Sequence, residues 1–122
     1  MQKRISNNKY KGKIGEDLAC EYLLSKGYKI LERNWHYSKY AEIDIIAKDN
    51  DTYVFVEVKF RSNCNTGHPL EAIDSSKMEQ LEKVTTAYVS EKLTNDSLFR
   101  IDVISIIGIK EPIVEHLINI GY

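Results

Sequence analysis

Four charged side chains lie close together in sequence on two short apolar runs. Glu42 and Asp44 occur in EIDIIA, and Glu57 and Lys59 occur in VFVEVK. Carboxylates bind hard divalent cations such as Mg²⁺ through oxygen, and water and substrate phosphate fill the remaining positions. A lysine beside such a pair can stabilise charge on a phosphate or position an attacking water. These residue types are therefore those of a metal-dependent phosphodiesterase site.

The spacing places the four residues on a predicted β-hairpin. The turn-rich run DNDT at 49–52 centres the turn on its two middle residues, so that the numbers of cross-strand partners add up to 101. Asp44 then faces Glu57, and Glu42 faces Lys59. Strand alternation predicts one face of Ile43, Ile45, Ala47, Val54, Val56, Val58 and Phe60, and an opposite face of Glu42, Asp44, Ile46, Tyr53, Phe55, Glu57 and Lys59. Opposed carboxylates repel each other, and a divalent cation would remove that conflict.

A solvated hairpin face is the competing interpretation, with Glu42 and Lys59 as an ordinary cross-strand ion pair. The same face carries Ile46, Tyr53 and Phe55, which indicates that helices cover it. Carboxylates beneath a cover need a partner, a proton or a metal.

The residues also carry a family resemblance. Asp44, twelve intervening residues and Glu57-Val58-Lys59 resemble the core of the PD-(D/E)xK nuclease superfamily. Over roughly residues 9–120 the chain resembles the UPF0102 (YraN-like) family, through GEDLACEYLLSKGYKILERN at 15–34 and EIDIIAKDNDTYVFVEVKFR at 42–61. That family is described as having an endonuclease-like fold related to archaeal Holliday-junction resolvases.

The resemblance implies a fold and a set of roles. The fold is a restriction-endonuclease-like α/β three-layer sandwich, with a mixed central sheet of about five strands flanked by helices. Asp44 and Glu57 would hold Mg²⁺ or Mn²⁺, Glu16 of the first helix would join them, and Lys59 would be catalytic. Lys77 of the second helix would contact phosphate. The alternative for Glu16 is an acid near the start of the helix that interacts favourably with the helix dipole.

Hydrophobic periodicity predicts the elements that position these residues. The predicted elements are a helix over 11–26, a strand over 28–34, the hairpin, a short turn at 70–73, a helix from Ser75 or Ser76 to Leu93, and strands over 99–109 and 113–120. Residues 35–39 form a polar connection, and Pro112 indicates that the last strand lies at an edge. Asp102 is predicted to be a buried structural acid that needs a partner such as Arg100.

The length and the net charge of the chain limit the functions it can have. At 122 residues the chain is expected to be one domain over 1–122, and its net charge of −1 is not that of a protein that holds nucleic acid by charge alone. Residues 1–10 are predicted to be a flexible basic arm. Lys11, Lys13 and, at the end of the hairpin, Arg61 are candidate phosphate contacts. A solvated terminus without function is the alternative.

The cysteines and the hydropathy are those of a cytoplasmic protein. No stretch has the apolar length of a membrane span, and no apolar signal region follows the start. Cys20 is predicted to lie in the helix core and Cys64 in a loop, with neither a disulfide framework nor a zinc site.

Two hypotheses about function follow. In the first, the protein is a metal-dependent DNA endonuclease acting on branched or single-stranded DNA. In the second, it is a catalytically silent module that binds nucleic acid or protein. A homodimer pooling two basic arms would suit a two-fold junction, and a strictly monomeric sedimentation profile would exclude it.

Overall fold

The computed structural model describes residues 7–39, 41–61, 67–108 and 110–121, and it contains two α-helices and one five-stranded sheet in that part of the chain. The elements are α1 (Asn7–Ser25), β1 (Lys29–Ser38), β2 (Ala41–Asp49), β3 (Thr52–Arg61), a 3₁₀ turn (Pro69–Ala72), α2 (Ser75–Lys92), β4 (Leu98–Ile107) and β5 (Ile113–Leu117). This order confirms the predicted succession of helix, three strands, helix and two strands.

The sheet is mixed. Its strands run in the order β1-β2-β3-β4-β5, and every neighbouring pair is antiparallel except β3 and β4. A parallel pair needs a long crossover, which the 3₁₀ turn and α2 supply. β5 lies at one edge of the sheet, as Pro112 predicts, and β1 lies at the other.

The two helices cover opposite faces of the sheet. On the α1 face, the buried core consists of Ala19, Cys20, Leu23, Ile45, Ala47, Val54, Val56, Ile104 and Ile106. On the α2 face, it consists of Ile43, Ile46, Phe55, Leu81, Val84, Tyr88 and Ile101. The predicted three-layer sandwich is therefore confirmed, as are the helix-core position of Cys20 and the cover over the charged face of the hairpin. Cys64 lies outside the described residues.

The register of the central hairpin follows from its turn. Ile45 pairs with Val56, and the pairing continues to Asp49 and Thr52. The residue numbers of each pair therefore add up to 101, as predicted. Asn50 in the turn has a φ of 53°, a left-handed conformation that asparagine tolerates better than most residues. A short local turn thus determines which side chains of the two strands are neighbours.

The edge strand β1 changes face in its middle. Arg33 reaches α1, where its guanidinium lies 2.8 Å from an Asp17 carboxylate oxygen. Trp35, two residues later, packs edge-on against Tyr88 of α2, with ring centroids 5.1 Å apart. Residues two apart in a regular strand share a face. Asn34, between them, has a φ of 53° and accounts for the reversal.

β2 changes face at the same level. Its Ile45 pairs with Arg33 and lies in the α1 core, whereas its Ile43 pairs with Trp35 and lies in the α2 core. The prediction that Ile43 shares a face with Ile45 is therefore wrong, because simple alternation does not anticipate a kink that two strands share. The residue at the reversal in β2 is Asp44.

Asn34 permits a test of this kink. We expect Asn34→Ala to lower the free energy of unfolding by about 1 kcal/mol, because a Cβ without a compensating amide is disfavoured at positive φ. Asn34→Gly should be about as stable as the native chain. The Asn34 side chain is exposed, so neither change removes core packing. Urea unfolding measures the difference, and equal stability of the two variants would contradict the kink.

Several element boundaries differ from those predicted. α1 begins at Asn7 and so includes the last four residues of the predicted arm, whereas residues 1–6 lie outside the described part of the chain. β1 continues to Ser38 through the predicted connection, and β5 ends at Leu117. Neither serine caps α2. Asp74 does, because its carboxylate accepts a hydrogen bond of 2.8 Å from the Lys77 N–H.

A buried polar network ties β4 to β5 on the α1 face. Asp102 is fully buried and accepts hydrogen bonds from Arg100 Nε at 3.0 Å and from the Asn119 N–H at 2.9 Å, and its other oxygen lies 2.7 Å from His116 Nε2. The second ring nitrogen of His116 lies 3.1 Å from the Tyr22 hydroxyl of α1. Arg100 is the partner that the sequence predicts for Asp102.

Neither helix in the described residues has the length and apolar character needed to cross a bilayer.

Candidate active site

Asp44 lies where β2 and β3 separate. The paired residues of the two strands end at Ile45 and Val56, one step before Asp44 would face Glu57. Beyond that point the Val58 N–H donates a hydrogen bond of 2.8 Å to Asp44 Oδ2. The aspartate side chain therefore satisfies a donor that a continued ladder would have bound, and this holds the carboxylate between the strands.

The surroundings of Asp44 disfavour its ionised form. The pKa of Asp44 is raised to about 8, first by burial and then by the negative charges of Glu57, Glu16 and Glu42. The hydrogen bond from the Val58 N–H opposes this rise. Such a combination of burial and like charge is typical of functional sites. The carboxylate needs a cation or a proton at neutral pH.

Glu57 faces α2 and is 5% exposed. Its Oε2 lies 3.2 Å from the Lys59 ammonium and 3.3 Å from the Lys77 ammonium. Lys77 also donates to Gln80 Oε1 at 3.4 Å. The predicted neighbours Glu57 and Lys59 are thus in contact, and Lys77 of the second helix joins them. The ammonium groups of Lys59 and Lys77 and the carboxyl groups of Glu57 and Asp44 therefore lie together at this end of the sheet.

Glu16 approaches the site from the opposite face. Gly15 allows this approach, because a Cβ there would lie 3.1 Å from the Phe60 Cβ, and α1 therefore packs closely on β3. Glu16 Oε1 lies 3.6 Å from Arg33 Nη2. The same guanidinium hydrogen-bonds Asp17 and lowers the pKa of that carboxyl. Arg33 thus holds Glu16 and Asp17 of α1 toward β1.

Glu42 does not pair with Lys59 as predicted. Its carboxylate lies 3.1 Å from His36 Nε2 on β1, while Lys59 contacts Glu57. The ladder between β2 and β3 ends before Glu42, so its neighbour across the strands is a residue of β1 instead. Glu42 still lies close enough to Asp44 to raise its pKa.

The remaining candidates lie around this centre. Arg61, at the end of β3, donates to the backbone carbonyls of Gly67 and His68 at 2.7 and 3.5 Å, just before the 3₁₀ turn. Lys13 is exposed and lies 3.4 Å from Asp17. The side chain of Lys11 lies outside the described part of the structure.

The donor set fits a hard divalent cation. Asp44 and Glu57 offer carboxylate oxygens, and water and phosphate commonly complete the coordination of Mg²⁺ and Mn²⁺. Within the described ranges, no three His, Cys, Asp or Glu side chains form a ready-made metal centre. Arg33 and the two lysines hold Glu16 and Glu57 in ion pairs. A cation would therefore have to compete with these ammonium and guanidinium groups.

Two residues of this site did not follow from the sequence. In the sequence, Arg33 is like any other charged residue of an exposed strand. Only the kink at Asn34 directs its side chain toward α1. Gln80 contacts Lys77 within one turn of α2, and only the position of α2 over Glu57 brings that pair to the site. A signal exists only for Gln80, which is three residues after Lys77 and therefore shares its helix face.

The fold and the site define a class of protein, namely a three-layer α/β domain with an acid and lysine cluster where its central hairpin opens. The chain belongs to the family described as uncharacterised protein family UPF0102, whose model matches residues 15–106, and this confirms the predicted family. A UPF0102 protein of Clostridioides difficile (strain 630) is 44% identical over 113 residues, which cover 93% of this chain and 97% of that protein.

Two further relatives show similar agreement. A UPF0102 protein of Persephonella marina is 45% identical over 98 residues, which cover 80% of this chain and 84% of its own. One from Dictyoglomus turgidum is 44% identical over 101 residues, which cover 83% of this chain and 85% of its own. The similarity therefore spans the elements that build the site.

Proposed function

We propose that this protein is a Mg²⁺- or Mn²⁺-dependent endonuclease of the PD-(D/E)xK type that hydrolyses phosphodiester bonds in DNA. One observation carries the proposal. Asp44 is held between two strands beside Glu57, with a pKa raised to about 8, and Lys59 contacts the same Glu57. Two carboxylates lie so close together that ionisation of Asp44 is disfavoured. A bound cation that offsets their negative charge explains this arrangement.

In this proposal each residue has a separate task. Asp44 and Glu57 hold the cation, and the Val58 N–H fixes the orientation of the Asp44 carboxylate. Lys59 orients the attacking water or stabilises the negative charge that develops on the phosphate. Lys77 supplies a second positive charge toward the phosphate, and Glu16 assists from α1. When bound, the cation offsets phosphate charge and makes water more acidic.

The proposed substrate follows from the same charges. Two ammonium groups and a divalent cation at one point match the phosphates of a nucleic-acid strand better than they match a neutral substrate. Branched or single-stranded DNA, a homodimer and a cytoplasmic location belong to the same proposal.

A catalytically silent binding module is the second candidate, and one observation favours it. Glu57 is already neutralised by Lys59 and Lys77, at 3.2 and 3.3 Å. Such a cluster can serve as a structural ion-pair network that never takes up a cation.

Cleavage of a panel of DNA substrates tests the proposal. Single-stranded, duplex, flapped and four-way-junction DNA would be incubated with Mg²⁺ or Mn²⁺ and with the native chain, Asp44→Asn or Lys59→Ala. We expect metal-dependent cutting by the native chain and a loss of at least about a hundredfold in both variants, because each removes a charge that acts on the phosphate.

Asp51→Asn is the matched control, since it removes an exposed carboxylate in the hairpin turn far from the site. It should cut as the native chain does. If no substrate is cut while binding persists unchanged in both site variants, the binding module replaces the nuclease.

A further inference from the structure

Ser105 of β4 carries a hydroxyl that is buried in the sheet. The residue is 0% exposed, and its Oγ has no hydrogen-bond partner within the described part of the chain. Thr85 of α2 is the second buried residue there whose hydroxyl lacks a partner. Burying a hydroxyl without a hydrogen-bond partner destabilises the folded state, so each such group calls for an explanation.

Ser105 lies directly beside Lys59. The two residues are partners in the parallel pairing of β3 and β4, and partners in register point to the same face of a sheet. That face carries Glu57 and is covered by α2. Neighbouring strands lie about 5 Å apart, so the flexible lysine stem can bring its ammonium to the serine hydroxyl.

The two lysines at Glu57 differ in the acceptors that remain to them. Lys77 already donates to a second acceptor, Gln80 Oε1, at 3.4 Å. Lys59 has Glu57 as its acceptor, and among the described side chains no second one is found for it. If a cation binds Glu57, Lys77 keeps a partner, whereas Lys59 loses its own.

We propose that Ser105 Oγ is the second acceptor for the Lys59 ammonium and that it receives Lys59 when a divalent cation occupies Glu57. This inference rests on the proposed metal site. Ser105 is then a positioning residue, which acts on substrate only through Lys59. The exchange conserves the number of hydrogen bonds that Lys59 makes and satisfies the Ser105 hydroxyl, so it lowers the cost of displacing an ammonium from a buried carboxylate.

A double-mutant cycle on Mn²⁺ affinity tests the exchange without any need for turnover. Calorimetric titration with Mn²⁺ would compare the native chain, Ser105→Ala, Lys59→Met and the double variant. We expect Ser105→Ala to weaken Mn²⁺ binding about fivefold, the size of one hydrogen bond. Lys59→Met should not weaken it, because the competing ammonium is gone, and Ser105→Ala should then have no further effect.

Thr85→Val is the matched control, since it deletes a second buried hydroxyl that lacks a partner among the described residues, and it should leave Mn²⁺ affinity unchanged. Additive effects of Ser105→Ala and Lys59→Met, or a native chain that does not bind Mn²⁺, would overturn the exchange. Coupled effects in a chain that cuts no DNA would support the exchange and refute the nuclease. Cleavage together with additive effects would refute the exchange alone.

Discussion

Asp44→Asn is expected to make the folded protein more stable than the native chain at pH 8, by about 2 kcal/mol, although it removes a carboxylate of the proposed cation site. Because the pKa of Asp44 is raised to about 8, about half of the folded molecules at pH 8 still hold a proton that the unfolded chain has released. Ionising this group in the folded state therefore costs free energy. Asparagine has no charge, and its side-chain oxygen can still accept the hydrogen bond from Val58.

The sign of the pH dependence follows from proton counting. Between about pH 4 and pH 8 the folded state binds more protons at Asp44 than the unfolded state does. The stability of the native chain should therefore fall as the pH rises through this window, and it should be highest near pH 4 as far as this group is concerned. The Asn variant should lack this component.

Thermal unfolding from pH 4 to pH 9 in the presence of a chelator measures the effect. Asp51→Asn serves as the control, because it removes an exposed carboxylate and should follow the native curve. If Asp44→Asn is the less stable chain at pH 8, Asp44 is ionised and favourably paired in the folded state, and its proposed conflict with Glu57 does not exist. Mg²⁺ should stabilise the native chain and not the Asn variant.

Asp102→Ala is expected to have the largest effect on stability, a loss of about 3–5 kcal/mol. The carboxylate is fully buried, and its removal leaves Arg100 and His116 without the acceptor that both share. The Asn119 N–H loses its partner as well. Leaving one charge buried without its partner costs far more free energy than the ion pair contributes to stability.

Chemical unfolding at pH 7 would measure this loss. Asp49→Ala is a suitable control, because Asp49 contacts the same Arg100 at 3.4 Å but its side chain is 35% exposed. It should cost less than about 1 kcal/mol. A loss below that value for Asp102→Ala would mean that water or another acceptor replaces the carboxylate.

The two aspartates show how one residue type is used in opposite ways on one sheet. Burial alone would raise the pKa of Asp102, but hydrogen bonds from His116, Arg100 and the Asn119 N–H outweigh it and lower the pKa. Asp44 has one N–H donor and three acids near it, and its pKa rises. The stabilising contribution of Asp102 is thus present above its unfolded pKa and is lost in acid. The ionised form of Asp102 is therefore stabilised by the fold, whereas the ionised form of Asp44 is disfavoured by it.

Local rules were sufficient for much of the structure. The turn at Asn50 and the alternation of β3 predict the hairpin register and place Glu57 beside Lys59, because both depend on residues close in sequence. The need of a buried acid for a partner predicts the contact between Asp102 and Arg100. The family and the three-layer fold follow from the same segments.

The sequence by itself thus determined the register of the central hairpin from its turn to Ile45 and Val56, and the contact between Glu57 and Lys59. Only the tertiary structure decided that Asp44 lies between separating strands, that Ile43 turns to the α2 face, that Glu42 pairs with His36 and that Lys77 reaches Glu57. The physical reason is the range of the interactions. A strand period or a turn is set by neighbouring residues, whereas the kink at Asn34 and the path of α2 are set by packing between elements far apart in the chain.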